Sequence, residues 1–194
     1  MISAILLAAG QSKRMGRLKL LLPFGGSTIL EQTIDNLLHS KIDELIVVLG
    51  YQAQELMEKV ASRRVKVAMN PAYKQGMSTS IIAGLSVVDD KAQALMLALG
   101  DQPFISSRVI DRLIDEFFSH NKGIVIPTYQ GSRGHPVIFA IKYKGELLGL
   151  KGDVGGRQII KEHPDDIVEI PIDSESINTD IDTLTDYYRL SNRP

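Results

Sequence analysis

Two short stretches hold residues that could do chemistry together. After an apolar run ending at Ala9, the chain reads Gly10-Gln11-Ser12-Lys13-Arg14-Met15-Gly16-Arg17-Leu18-Lys19. Far downstream a second apolar run, ALMLAL at 94–99, ends in Gly100-Asp101-Gln102-Pro103. Gly10 and Gly16 permit backbone geometries closed to other residues, so amides can turn toward a ligand. Arg14 and Lys19 add charged donors that suit phosphate oxygens. Asp101 is a carboxylate at the end of a strand, and a carboxylate beside a phosphate site makes sense when a cation lies between them. Magnesium suits, because it takes one or two protein carboxylates and fills its other positions with phosphate oxygens and water. Each stretch also has an ordinary reading. The basic cluster can be a solvated loop. Asp101 can cap the helix expected from Ser107 or form a turn with Pro103.

The basic loop matches neither common phosphate fingerprint. G-x-G-x-x-G fails because Gln11 and Ser12 follow Gly10. G-x-x-x-x-G-K-[ST] fails because five residues separate Gly10 from Gly16 and Arg17-Leu18 follows. A second acidic set, Asp180, Asp182 and Asp186, stands in NTDIDTLTDYY. There Asp182 or Thr183 can simply cap a last helix over 184–190.

The elements that must position these groups follow from periodicity. Apolar runs at 2–9, 44–49, 65–69, 94–99 and 123–127 read as strands. Between them, 28–39, 52–61, 76–88 and 107–118 read as helices, the first capped by Ser27 or Thr28. Short strands that are apolar on both faces, alternating with helices, imply a parallel sheet covered on both sides. Ligand loops then belong at the carboxyl ends of the strands, where both stretches lie. After about residue 130 the rhythm changes. The segments 136–140 and 167–172 read as strands, the second at an edge because Pro171 interrupts it. One domain over 1–194 accommodates all of these.

Composition narrows the classes further. A net charge of -1 leaves no excess of Lys and Arg for many phosphates, so no nucleic-acid partner is expected. With no Cys, disulfides, thiol catalysis and zinc-thiolate sites are excluded. No apolar run approaches the roughly 20 residues of a membrane span. The first apolar stretch is too short for a signal peptide and lacks a basic segment before it. These features point to a cytoplasmic protein. His39, His120 and His163 read as surface residues, and Met57 and Met77 as packing residues.

Taken together, the segments resemble a known family. LAAGQSKRMG with Lys19, NPAYKQGMSTSIIAGL at 70–85, LGDQP at 99–103, GHPVIF at 134–139, GDVGGR at 152–157 and DIDTLTDY at 180–187 occur in the order of the molybdenum cofactor cytidylyltransferases. These belong to the MobA-like NTP transferases. The resemblance covers nearly the whole chain and extends more loosely to the guanylyltransferases. It implies a three-layer Rossmann-like nucleotidyltransferase fold, a mostly parallel sheet with helices on both faces. It implies that Leu7, Ala8, Ala9 and Gly10, with Arg14 and Lys19, hold the triphosphate, and that Gly76 and Ser80 lie near base and ribose. Asp101 would bind Mg2+, with Asp182, alone or together with Asp180, supplying the other carboxylate. His135, Gly152, Asp153 and Arg157 would face the second substrate, where the His135 imidazole could meet a phosphate or pterin edge or serve a structural hydrogen bond. Ala9, giving LAAG, goes with cytidine in this family, as does the spacing Gly16-Arg17-Leu18-Lys19.

The implied reaction transfers CMP from CTP to the terminal phosphate of molybdopterin or the molybdenum cofactor. A molybdenum hydroxylase of the xanthine dehydrogenase type is the implied partner. The residues leave two alternatives open. One is a cytidylyl- or guanylyltransferase for a sugar phosphate, methylerythritol phosphate or phospholactate. The other is a carrier that delivers the cofactor without transferring a nucleotide.

Overall fold

Alternate residues of a strand point to opposite faces, and in the first strand both sets are apolar apart from buried Ser3. In the computed structural model, which describes residues 1–191, that strand is β1 (Ile2–Ala8). Ile2, Ala4, Leu6 and Ala8 enter one core, while Ile5 enters another. Two 3-10 turns, Lys13–Met15 and Lys19–Leu21, follow, then a small hairpin of β2 (Pro23–Phe24) and β3 (Ser27–Thr28). The Thr28 hydroxyl accepts the Glu31 amide and so caps α1 (Ile29–Leu38), as its sequence position suggests.

The chain continues through β4 (Glu44–Leu49), α2 (Ala53–Val60), β5 (Lys66–Met69), α3 (Met77–Leu85) and β6 (Ala94–Leu99). Next come α4 (Ser107–Ser119), β7 (Ile124–Tyr129), β8 (Ser132–Arg133) and β9 (Val137–Ala140). Last are α5 (Lys144–Leu148), α6 (Arg157–Glu162), β10 (Ile167–Pro171) and α7 (Leu184–Ser191). The main sheet has eight strands in the order β10-β7-β9-β6-β1-β4-β5, with β8 paired to β7. β1 is parallel to both its neighbours, and β9 is antiparallel to β6 and β7. The changed rhythm after residue 130 is this antiparallel insertion. β10 lies at the sheet edge, as its proline requires.

Helices cover both faces. Buried residues of α1, α2, α4 and α7 pack with Ala4, Leu6, Val47 and Met96. Those of α3, α5 and α6 pack with Ile5, Ile46, Val48 and Leu95. This is the three-layer Rossmann-like arrangement, and each fully buried Leu or Ile contributes about 1.5–3 kcal/mol. Among the described residues, no helix is long and apolar enough to cross a membrane. His39 and His120 are exposed, and Met57 packs against the first core.

Helix α3 approaches β1 very closely at Gly84. A Cβ there would stand 2.4 Å from Ile5 Cγ2 and 3.1 Å from Val48 Cγ2, and both neighbours are fully buried. Gly84→Ala raises helix propensity yet overfills this contact. It should lower unfolding stability by about 1–3 kcal/mol, read as an earlier urea midpoint; a stabilised variant would show that the layers are not in close register.

Candidate active site

Strand order reverses at β1, because the chain runs on to β4 on one side of it and places β6 on the other. In a parallel α/β sheet this opens a crevice at the carboxyl ends of the two central strands. The loop after β1 and the loop after β6 both enter it. They are stitched together by the Gly100 N–H, which donates to the Leu7 carbonyl at 3.0 Å. The β1 loop then folds back on itself. Ser12 takes a left-handed backbone (φ 50°), its carbonyl accepts the Met15 N–H at 3.0 Å, and its Oγ accepts the Lys19 N–H at 3.3 Å. The result aims the Lys19 side chain across the crevice.

Lys19 Nζ donates to Asp101 Oδ2 at 2.5 Å and to Asp182 Oδ1 at 2.9 Å. The partners are 82 and 163 residues away in sequence. The Lys19 side chain is only 14% exposed, whereas Arg14, which pairs with the other oxygen of Asp182, is 73% exposed. Burial alone would lower the Lys19 pKa, but the two carboxylates outweigh it and hold the ammonium above its ordinary value. Burial would raise Asp182, but Lys19 and then Arg14 hold it below the usual carboxylate range. Asp180 goes the other way. Loss of water around its carboxyl and the nearby Asp101 charge push it up, against a 2.6 Å hydrogen bond from Gln102 Nε2. The third acid of the late cluster is used for structure. Asp186 Oδ2 accepts the Thr183 N–H, and Thr183 Oγ1 accepts the Asp186 N–H, a reciprocal cap on α7. Thr183 therefore does the capping, and Asp182 is left for Lys19 and Arg14.

The opposite wall is built from α3 and the 152–157 loop. Gly76 has φ +109°, and a Cβ on it would lie 2.5 Å from the backbone of Gly152 and Asp153. Asp153 Oδ1 accepts the Met77 N–H at 3.1 Å, and the Gly152 carbonyl accepts the Ser78 N–H at 3.2 Å. The two segments are thus clasped at the first turn of α3. Ser80 is buried, and its Oγ accepts from Asn70 Nδ2 at 2.9 Å. Across the cleft, half-buried His135 donates its backbone N–H to the Ile177 carbonyl at 3.0 Å. Burial lowers its imidazole pKa and the Arg157 charge lowers it further, with Asp101 opposing. This environment favours the neutral ring.

These groups line one cleft of about 1240 Å³. Leu7, Ala8, Ala9, Gly10, Arg14, Lys19 and Asp101 border it from the central strands. Gly76, Ser80, His135, Asp153, Arg157, Asp180 and Asp182 complete its rim. Gly152 does not line it and acts through the clasp. Met77, expected to pack, is instead 39% exposed in the cleft beside Val154. It heads α3, where its side chain leaves the core face. Sequence reasoning missed Ser12, Asn70 and Gln102, which hold Lys19, Ser80 and Asp180 in place. The only signal for them was their position inside segments already singled out.

A family model described as the MobA-like NTP transferase domain matches residues 4–167. The chain belongs to this family. A MobA-like NTP transferase is a nucleotidyltransferase. The molybdenum cofactor cytidylyltransferase of Escherichia coli (strain K12) is 30% identical over 99% of this chain and 96% of its own length. Nicotine blue oxidoreductase of Paenarthrobacter nicotinovorans is also 30% identical, over 97% of this chain and 96% of its own. The crystal structure of Rv0371c from Mycobacterium tuberculosis H37Rv superposes with a TM-score of 0.90 at 31% identity, over 99% of this chain and 97% of that one. Rv0371c in complex with manganese gives 0.86 at 30% identity, over 100% and 99%.

The electrostatics of His135 can be read directly. In an NMR pH titration its ring should protonate below the ordinary value near 6.5. Arg157→Gln should move the midpoint up, because a cation that disfavours imidazolium is gone. Asp101→Asn should move it down. Midpoints insensitive to both substitutions would mean that the ring does not share a field with them.

Proposed function

We propose that this nucleotidyltransferase transfers CMP from CTP to the terminal phosphate of molybdopterin or the molybdenum cofactor and releases pyrophosphate. The observation that carries the reading is the shared cleft. Its basic loop, its carboxylates and its His135–Arg157 wall face one another across one space. At about 1240 Å³ that space exceeds the roughly 300–1,000 Å³ of pockets for a single small ligand, which favours two substrates meeting in it. The cytidylyltransferase name of the E. coli relative and Ala9 in LAAG support CTP as the donor.

The acceptor phosphate has a second pKa near 6, so it is mostly dianionic at neutral pH and needs no general base. One of its oxygens bonds to the α-phosphorus of CTP. The bond from that phosphorus to the bridging oxygen of the β-phosphate breaks, and pyrophosphate leaves with the electron pair. The obstacle is repulsion between two anions. In this reading, backbone amides around 7–10 with Arg14 and Lys19 take charge from the triphosphate, and Gly76 and Ser80 border base and ribose. Arg157 and neutral His135 receive the acceptor, His135 through a ring that donates or accepts without adding charge.

The chemistry of the carboxylates suits a divalent cation. Asp101 and Asp182 are hard oxygen donors already gathered around one cation, the Lys19 ammonium, and Asp180 stands beside them under like-charge pressure. The manganese complex of Rv0371c supports a divalent ion here, and we assign Mg2+. When bound, such an ion supplies Lewis-acid charge and a template for phosphate oxygens. A hydroxylase of the xanthine dehydrogenase type is the client this product would serve.

Pyrophosphate release should be measured with Mg2+, molybdenum-loaded molybdopterin and each of CTP, GTP, ATP and UTP. Pterin-dependent release with CTP is the expected outcome. Release with GTP instead would keep the chemistry and overturn the base preference. No release with any nucleotide would leave a carrier, or the activity for which the Paenarthrobacter relative is named, to be tested. Asp101→Ala should abolish turnover, and Lys19→Ala should cost about 2–4 kcal/mol of transition-state stabilisation, the scale of other preorganised donors. Near-normal kcat/KM in either variant would refute that residue's role.

A further inference from the structure

We propose that Lys19 is the resident counter-ion of the metal-holding carboxylates, which a divalent cation must displace before the lysine can serve the triphosphate. The proposal rests on the reading of Asp101 and Asp182 as metal-holding residues. Its basis is where the ammonium sits. It lies 2.5 Å from Asp101 and 2.9 Å from Asp182, largely out of solvent, and spans carboxylates from two different loops. Among the described residues, no three His, Asp or Glu side chains stand assembled around a metal-sized space. The carboxylates are closed onto the lysine instead.

The charges explain why both cations cannot stay. Asp101, Asp180 and Asp182 face Lys19 and Arg14, so three carboxylates meet two cations. A divalent ion added on the same two carboxylates would repel an ammonium within a few ångström of it. Lys19 can leave without a change of fold. Its backbone N–H is held on Ser12 Oγ at 3.3 Å, while its flexible four-carbon stem can carry the charge elsewhere. The anionic triphosphate is the partner the freed ammonium then lacks. Lysine and carboxylates thus neutralise each other in the free protein and separate when both ligands arrive. By linkage, divalent cation and triphosphate each tighten the other on the protein. A merely structural ion pair would behave in the opposite way. Removing its lysine would let Asp101 and Asp182 drift apart, and cation binding would weaken or stay the same.

The test uses nucleotide-free protein, treated with EDTA and then dialysed free of it. Mn2+ binding is followed by electron paramagnetic resonance for wild type, Lys19→Gln and Arg17→Gln. Arg17→Gln removes an exposed charge from the same loop and controls for net charge. Lys19→Gln should bind Mn2+ about tenfold more tightly than wild type, and Arg17→Gln within about twofold of it. In parallel, amine labelling of the wild-type protein read by mass spectrometry should find Lys19 slow. It should speed up severalfold on saturation with Mn2+ alone, with exposed Lys13 unchanged. This second measurement decides the matter if Lys19→Gln does not fold. Equal or weaker Mn2+ binding by folded Lys19→Gln, or Lys19 labelling unmoved by Mn2+, would overturn the counter-ion role and leave the metal-site reading standing. Failure of every form to bind Mn2+ would overturn both.

Discussion

Strand β1 is paired along both edges and covered on both faces, so its chain can offer polar groups to a ligand only at its carboxyl end and in the loop that follows. That constraint shapes the rest of the molecule. Parallel partners on both sides require connections over both faces, which is why helices must form two layers. The same arrangement parts the loops that follow β1 and β6 and opens the crevice between them. Gly100 bonding to Leu7 keeps that parting narrow, so charges from the two loops meet at hydrogen-bond distance.

Into this narrow space the fold brings cations from one end of the chain and carboxylates from the middle and the other end. Each of these charges has its own support. Lys19 is held up by Ser12, Asp180 by the buried amide of Gln102, and Asp182 by the helix cap that turns the chain at Thr183. A site assembled this way depends on the closing of the final loop. The Ile181 N–H, which donates to the Asp101 carbonyl at 3.2 Å, ties that loop back to the carboxyl end of β6.

Much of this was legible in the sequence because strand and helix periodicities are local. The five parallel-type strands, the Thr28 cap and the edge position of Pro171 follow from residue spacing. Asp101 had two plain readings, a turn or cap and a cation partner, and nothing local could choose between them. Its ion pair with Lys19, 82 residues earlier, becomes visible only in three dimensions. The late acids show the same limit. Asp180, Asp182 and Asp186 look alike in sequence, yet one is pressed by like charge, one is ion-paired and one caps a helix. Met77 was misjudged because an apolar residue at the first position of a helix can turn to either side of it. Gly152 was assigned to the ligand because its segment resembled a binding loop, while its carbonyl serves a helix end.

The clasp between Gly76–Ser78 and Gly152–Asp153 bears on how such proteins diversify. In the proposed reading Asp153 belongs to the loop that would receive the acceptor, yet its carboxylate accepts the first amide of α3, the helix on the side proposed for the nucleotide. An exchange of that loop for one suited to another acceptor would also remove the cap from α3 and loosen the ground beneath Ser80. The two sides of the cleft are therefore mechanically linked. On that reading, a change of the 152–157 loop has to preserve this corner or rebuild both sides of the cleft together.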